Sequence, residues 1–125
     1  MESGHCPLAA SPYHVRMTEN ELDHIVWLTA WYAAQCDGDW EHSYGVSIET
    51  LDNPGWSVKI DLQDTDQEDK SFDTVAVNME ASDSDPAERW HHCKVVENRF
   101  EAASSVHDLL TVIGVFRAWI AEKAI

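Results

Sequence analysis

Basic residues are scarce in this chain. Among 125 residues, 8 are Lys or Arg and 23 are Asp or Glu, which gives a formal net charge of −15. A field of this sign repels nucleic acid and anionic membranes and attracts basic proteins. Basic patches with interleaved aromatic residues are also absent. The composition therefore predicts neither a nucleic-acid nor a membrane partner. It leaves open whether the acids form a specific docking face or only a solvated surface.

Other absences narrow the class of protein further. No apolar run approaches the roughly 18 residues that cross a bilayer. Residues 1–12 have neither a basic start nor an apolar block, so we expect no signal peptide and a cytoplasmic location. The three Cys are widely spaced and odd in number, which argues against a disulfide framework. Phosphate-binding glycine loops and nucleophile elbows are missing as well.

The chain is predicted to form one domain over residues 18–125, after a flexible leader over residues 1–17 that lacks periodicity. Thr18 and Glu21 form a capping box at the start of a first helix. This helix should end near Cys36, because Asp37-Gly38 offers a left-handed position. The apolar stripe expected to face the core recurs at helical spacing and comprises Leu22, Ile25, Val26, Leu28, Tyr32 and Ala33.

Strands are predicted next. Residues 44–48 and 56–62 both alternate between apolar and polar side chains, which indicates a half-buried antiparallel pair. Asn53-Pro54-Gly55-Trp56 fits a type II turn between them, with Gly55 at positive φ. Further strands are expected at residues 72–79, 90–96 and 98–102, the last two joined by a tight turn at Glu97-Asn98.

A second amphipathic helix should begin at Ser105, with Asp108 as its capping partner. Two amphipathic helices at the two ends of the domain can cover one apolar face of a sheet. The sequence therefore predicts an α+β fold, in which an antiparallel meander sheet of four to five strands is covered by an N-terminal and a C-terminal helix.

Two acidic segments are candidate binding sites for a protein partner. The string Asp37 to His42 holds three carboxylates and an imidazole around Trp40, and residues 63–71 hold four acids against one Lys. Trp is enriched at binding hot spots and accepts cations on its face, so an aromatic ring among acids suits a basic partner. The alternative for Trp40 is that it is the first residue of the first strand and packs at the edge of the core. The predicted partner-binding residues are Asp37, Asp39, Trp40, Glu41, His42, Asp64, Asp66, Glu68 and Asp69.

Metal binding is the first alternative for these residues. Carboxylates suit hard cations, but the spacing in Asp37 to His42 does not match an EF-hand loop. His91 and Cys93 could share one face of a strand and bind zinc with Cys36 and His42, yet no CxxC pair supports this set. We therefore predict no metal and no cofactor.

Nucleophilic catalysis is the second alternative. Cys36, His42 and an Asp could serve as nucleophile, base and orienting group. Neighbouring acids raise the pKa of a thiol, however, so the sequence does not indicate an activated thiolate. The sequence favours a protein that is not an enzyme. A small enzyme that uses Cys36, or a metal near Asp37 to His42, stays open as the other class of function.

Two strings in the first half of the chain carry a family resemblance. Cys36 to His42 reads CDGDWEH, and Glu49 to Trp56 reads ETLDNPGW. With Trp31-Tyr32 before them, these strings resemble the immunity protein 53 family, and the similarity extends over roughly residues 22–120. Residues 102–105 read AASS, where the family would have a glycine-rich approach to the last helix.

The resemblance implies a bacterial immunity protein that belongs to a polymorphic toxin system. Such a protein binds and neutralises a cognate toxin in the producing cell. Its acidic charge fits a basic toxin, for example a nuclease with a phosphate-binding cleft, because opposite charge steers association. We expect the two acidic segments to contribute to this docking face. Neither the toxin nor the oligomeric state follows from the sequence.

Overall fold

The computed structural model describes residues 19–80 and 88–122. Predictions that fall on residues 1–18, such as the leader and the cap at Thr18, lie outside this part of the chain. The helices and strands in chain order are α1 (Glu19–Gln35), α2 (Trp40–Ser43), β1 (Val46–Leu51), β2 (Gly55–Asp61), β3 (Val75–Val77), β4 (His91–Val96), β5 (Arg99–Ser104) and α3 (Leu109–Ala121).

The five strands form one antiparallel sheet in the order β1-β2-β5-β4-β3. This confirms the predicted α+β class with an N-terminal and a C-terminal helix. The meander holds within two groups, β1-β2 and β3-β4-β5. The groups join through β2 and β5, so the last strand lies at the centre of the sheet. That pairing joins residues about 40 positions apart, and local alternation carries no information about it.

The core lies between the sheet and the two long helices. Along each strand, alternate residues face the helices, and Val58, Ile60 and Phe100 are fully buried there. Phe116 of α3 is also fully buried and contacts the rings of Phe100 and Trp31, with centroids 4.9 and 5.1 Å away. Aromatic rings therefore join both helices to the central strands.

The face of α1 that packs on the core matches the predicted stripe only in part, at Ile25 and Leu28. Leu28 and Trp31 are buried, whereas Leu22 is 49%, Val26 61% and Tyr32 38% exposed. The reason is that the large Trp rings take the inner positions: Trp27 and Trp31 both contact the ring of Phe116 edge-on. Most of the stripe expected in the core is thus turned towards one side of the helix and towards solvent.

Two predicted turns are confirmed. Gly38 follows the end of α1 with φ 96°, as the left-handed position after the helix requires. Glu97 and Asn98 have φ 51° and 59° between the paired residues Val96 and Arg99. Positive φ at both central residues is the backbone of a two-residue type I′ hairpin.

The predicted type II turn with Gly55 at positive φ is wrong. Gly55 is already the first residue of β2 and pairs with Leu51, so only residues 52–54 connect the strands. Its φ is not among the positive ones in the described chain. Glycine is needed there for another reason: a Cβ atom would lie 2.3 Å from the backbone oxygen of Ser104.

Three element boundaries are also corrected. Trp40 begins the short helix α2 and is not part of a strand. Strand β3 covers only residues 75–77, because Phe72 turns into the core against Phe100 and Trp119. Helix α3 begins after Asp108, not at Ser105, since the hydroxyl of Ser105 is buried and donates to the Asp108 carboxylate.

Candidate functional site

The acidic turn, residues 37–42, connects α1 to β1 and is shaped by two of its own carboxylates. Asp37 Oδ1 accepts hydrogen bonds from the backbone N–H of Trp40 and Asp39, at 2.9 and 3.0 Å. These bonds, chiefly the one from Trp40, lower the pKa of Asp37. Glu41 folds back and accepts from the N–H groups of Asp37 and Gly38. Both acids therefore hold the turn in shape while adding negative charge.

Trp40 lies inside the molecule, with 4% of its surface exposed. Its ring is about 6 Å from those of Trp31, Tyr32 and Tyr44. The alternative reading, in which Trp40 packs at the edge of the core, describes this environment. A direct contact between its ring and a partner does not fit the described structure.

The buried indole of Trp40 connects the acidic turn to the second acidic segment. Its Nε1–H donates to the backbone oxygen of Gln63 at 2.8 Å. Gln63 begins the acidic loop, residues 63–69, which follows β2. Its side-chain amide donates to Glu68 Oε2 at 2.7 Å, and this keeps the loop compact. The structure thus brings the two predicted segments together, although they are separated in sequence by the hairpin of β1 and β2.

The acidic residues of the loop are of two kinds. Some of them hold the loop in shape, and others, the uncommitted acids, have carboxylates without a partner in the described chain. Glu68 also accepts from the N–H of Asp64, and Asp69 exchanges two hydrogen bonds with the side chain of Asn98. By contrast, the exposed carboxylates of Asp64 and Asp66 have no hydrogen-bond or ion-pair partner in residues 19–80 and 88–122. The same holds for Asp39 in the acidic turn and for the imidazole of His42.

The basic residues of the described chain are mostly occupied elsewhere. Arg89, Arg99 and Arg117 pair with Asp108, Asp61 and Asp23, respectively. Lys70 donates to two carbonyl oxygens at the end of α3. Lys59 and Lys94 flank Glu101 on the sheet face away from the helices. None of these cations pairs with the uncommitted acids, so the turn and the loop keep their negative charge.

Among the residues that the structure describes, the alternative metal and catalytic sites are not assembled. In the two described ranges, no three side chains of His, Cys, Asp or Glu are placed to hold a metal ion. Cys93 is fully buried, and this desolvation raises its pKa to about 12. The thiol of Cys36 is exposed and lies 3.4 Å from the carbonyl oxygen of Tyr32. No hydrogen bond joins it to His42.

A family model described as immunity protein 53 matches residues 25–121. The chain belongs to the immunity protein 53 family. The matched range begins in α1, contains both acidic segments and all five strands, and ends at the last residue of α3. Comparison with curated proteins gives no match, and comparison with solved structures gives none either.

Membership in an immunity protein family indicates a toxin-neutralising role and a cognate toxin as the partner. Within residues 19–80 and 88–122, no helix of this immunity protein is long and apolar enough to span a bilayer.

Two residues that hold the acidic segments were not predicted from the sequence. Gln63 offers its carbonyl oxygen to Trp40 and its amide to Glu68, and Asn98 anchors Asp69. These contacts join residues 23 and 29 positions apart. Sequence spacing does not indicate the contact between Trp40 and Gln63. The predicted turn at Glu97-Asn98 is a weak indication of the contact between Asn98 and Asp69, because it determines where Asn98 lies.

Proposed function

We propose that this immunity protein binds a cognate toxin of a bacterial polymorphic toxin system in the cytoplasm and neutralises it by occlusion, without chemistry. The toxin class that fits best is a basic nuclease domain. A cleft that holds a phosphate backbone must be positively charged, and an acidic protein can cover it.

The joining of the acidic turn to the acidic loop carries this proposal. The hydrogen bond from Trp40 to Gln63 places the segments side by side. Asp39, Asp64 and Asp66 then offer carboxylates that no described cation neutralises. A basic partner can supply the missing counter-charges, and the remaining predicted acids, Asp37, Glu41, Glu68 and Asp69, hold these three in position.

Electrostatic steering should be the main effect of the uncommitted acids. Exposed charges of opposite sign accelerate encounter, and salt weakens this acceleration over a Debye length of about 8 Å at physiological ionic strength. Rim charges of this kind change the association rate more than the dissociation rate.

The test removes the three uncommitted charges while it keeps side-chain shape. In the triple variant Asp39→Asn, Asp64→Asn, Asp66→Asn, we expect the association rate with the toxin domain encoded beside this gene to fall by about tenfold at low salt. The rate should also depend less on ionic strength. Stopped-flow or surface-binding kinetics at several salt concentrations measure both quantities.

A matched control distinguishes the effect of the local acidic face on the association rate from the effect of total charge. The triple variant Asp52→Asn, Asp73→Asn, Glu88→Gln removes the same number of exposed charges outside the two acidic segments. Its association rate should stay within about twofold of the wild-type rate. An equal fall in association rate in the two triple variants, or no fall in the first, would show that the acidic face does not direct binding.

A further inference from the structure

An apolar groove of about 320 Å³ runs between α1 and the edge strand β1. Ile25, Leu28 and Tyr32 line it from the helix, and Val46 and Ile48 line it from the strand. Ile48 is 37% exposed and Tyr32 38% exposed, so the groove is open to solvent. An open apolar groove of this size on a small domain is characteristic of a binding surface.

The apolar surface continues from the groove onto the outer side of α1. Leu22 and Val26 lie one helical turn apart on the flank that leads out of the groove, and they are 49% and 61% exposed. The inner side of the same helix is filled by Trp27, Leu28 and Trp31. Within the described residues nothing covers this second apolar side, which suits it to contact with a partner.

Strand β1 offers backbone groups along the same groove. Within the described chain it pairs only with β2, which leaves its other edge open for hydrogen bonding. The strand is six residues long and contains no Lys or Pro, and Glu49 is its one charged residue. Ile48 points into the groove. Natural sheets usually protect edge strands with Lys, Pro or other charged residues, so this weakly protected edge beside an apolar groove is suited to strand addition.

The charge around the groove specifies the partner's chemistry. Between Arg16 and Lys59 the sequence contains no Lys or Arg, whereas eight Asp and Glu lie in that stretch. The stretch includes α1, the acidic turn and β1, which together build the groove and its surroundings. At the Tyr32 end, the ring contact between Tyr32 and Trp40 makes the groove continuous with the acidic turn. A segment that fills the groove meets carboxylates at that end.

We propose that the groove receives an extended segment of the toxin, which adds to β1 as a sixth strand. Alternate apolar side chains of this segment fill the space below α1, and Lys or Arg residues at one end reach the acidic turn. This inference rests on the proposed function, since it identifies where the toxin docks. The groove adds an apolar anchor to the acidic face. The acidic face by itself mainly raises the association rate.

Single lysine substitutions test the apolar anchor against matched controls. Ile48→Lys and Val26→Lys each place a cation in or beside the groove. Val77→Lys and Val96→Lys add the same charge at residues of similar exposure, 46% and 40%, away from it. Ile48 and Val77 lie on opposite edge strands of the sheet. The two groove variants should bind the toxin domain from the same locus at least about tenfold more weakly, and the controls should stay within about twofold.

The outcomes separate the docking site from the proposed function. If the wild-type protein does not bind this toxin domain, the proposed function fails and the groove proposal fails with it. If the wild type binds and the groove variants bind equally well, only the groove proposal is overturned. Should Ile48→Lys fail to fold, Val26→Lys still decides the matter, because that side chain is mostly in solvent and has no place in the core.

Hydrogen exchange identifies the form of the occupant. In the toxin complex, amides of residues 46–51 that exchange quickly in the free protein should become protected, because a sixth strand takes up the open edge. Unchanged exchange in this strand would overturn strand addition. Sedimentation of the protein without toxin should show a monomer. A dimer that Ile48→Lys dissociates and Val77→Lys does not would assign the groove to a second copy and overturn the proposal.

Discussion

Replacement of Asp108 by alanine should lower the free energy of unfolding by about 2–4 kcal/mol. Asp108 is 3% exposed, and its carboxylate accepts hydrogen bonds from Arg89, Ser105 and Thr111. These bonds tie the segment before β4 to the first turn of α3. The buried hydroxyl of Ser105 would lose its acceptor. Because the Arg89 side chain is 57% exposed, water can solvate its guanidinium group when the carboxylate is removed. The loss in free energy of unfolding should therefore lie at the lower end of the range for a broken buried ion pair.

The matched control is the ion pair between Arg117 and Asp23, whose nitrogen and oxygen are 3.0 Å apart. The Asp23 side chain is 58% exposed, so Asp23→Ala should reduce the free energy of unfolding by less than about 1 kcal/mol. Urea denaturation followed by Trp fluorescence measures both variants. Similar losses in free energy of unfolding in the two variants would show that burial does not strengthen the interactions of Asp108.

The same carboxylate should contribute to the acid sensitivity of the fold. Burial alone raises the pKa of Asp108, but the hydrogen bonds from Arg89 and Ser105 outweigh it and leave the pKa below its ordinary value. A lowered folded-state pKa adds stability above the unfolded value of about 3.9, and this stability is lost as the pH falls through the folded-state pKa. Below about pH 4, the free energy of unfolding of the Asp108→Asn variant should therefore fall less steeply with decreasing pH than that of the wild type.

Gly55→Ala should reduce the free energy of unfolding by about 1–3 kcal/mol, although the substitution adds only one methyl group. The new Cβ would lie 2.3 Å from the backbone oxygen of Ser104 and 3.4 Å from a methyl carbon of Leu51. The Ser104 backbone cannot move freely, because it pairs with both β2 and β4, and the next residue, Ser105, is bonded to Trp90. The start of β2 would have to separate from the centre of the sheet.

Gly45→Ala provides the control for this prediction. Gly45 lies just before β1, its φ is not positive, and a Cβ there meets no atom within 4 Å. The substitution should leave stability within about 0.5 kcal/mol or raise it slightly, since alanine narrows the unfolded ensemble. Thermal unfolding of both variants gives the comparison. A destabilised Gly45→Ala with a normal Gly55→Ala would contradict the assigned role of the close approach.

The local features of the fold followed from the sequence. The hairpin of β1 and β2 was visible in alternation, and the turn at Glu97-Asn98 and the positive φ of Gly38 followed from residue type. The turn at Gly55 was misassigned because glycine has two uses. It permits positive φ, and it permits close approach of another backbone, and only the three-dimensional neighbour, Ser104, tells the two apart.

The side of α1 that packs on the core could not be chosen from periodicity. Apolar residues surround most of this helix, so Leu22, Val26 and Tyr32 fit a core stripe as well as Trp27 and Trp31 do. The aromatic contacts with Phe116 decide between them. In the structure, the second apolar side of this helix lies beside the groove between α1 and β1.

The sequence predicts the acidic residues of the candidate site as a group and does not distinguish their individual roles. Composition and clustering pointed to both segments. Only the structure separates Asp37, Glu41 and Glu68, which hold backbone groups, from Asp39 and Asp66, whose carboxylates have no partner within the described residues. The distinction matters for mutagenesis, because variants of the first three would disturb the turn or the loop itself.

The central claim is neutralisation by binding, and a titration tests it most directly. Increasing amounts of this immunity protein are added to the purified toxin domain from its locus, and the residual toxin activity is measured. We predict that activity disappears at a 1:1 ratio and that fully active toxin is recovered when the complex is separated. Complete neutralisation by far less than one equivalent, with the toxin left permanently altered, would contradict occlusion and show that the protein is an enzyme.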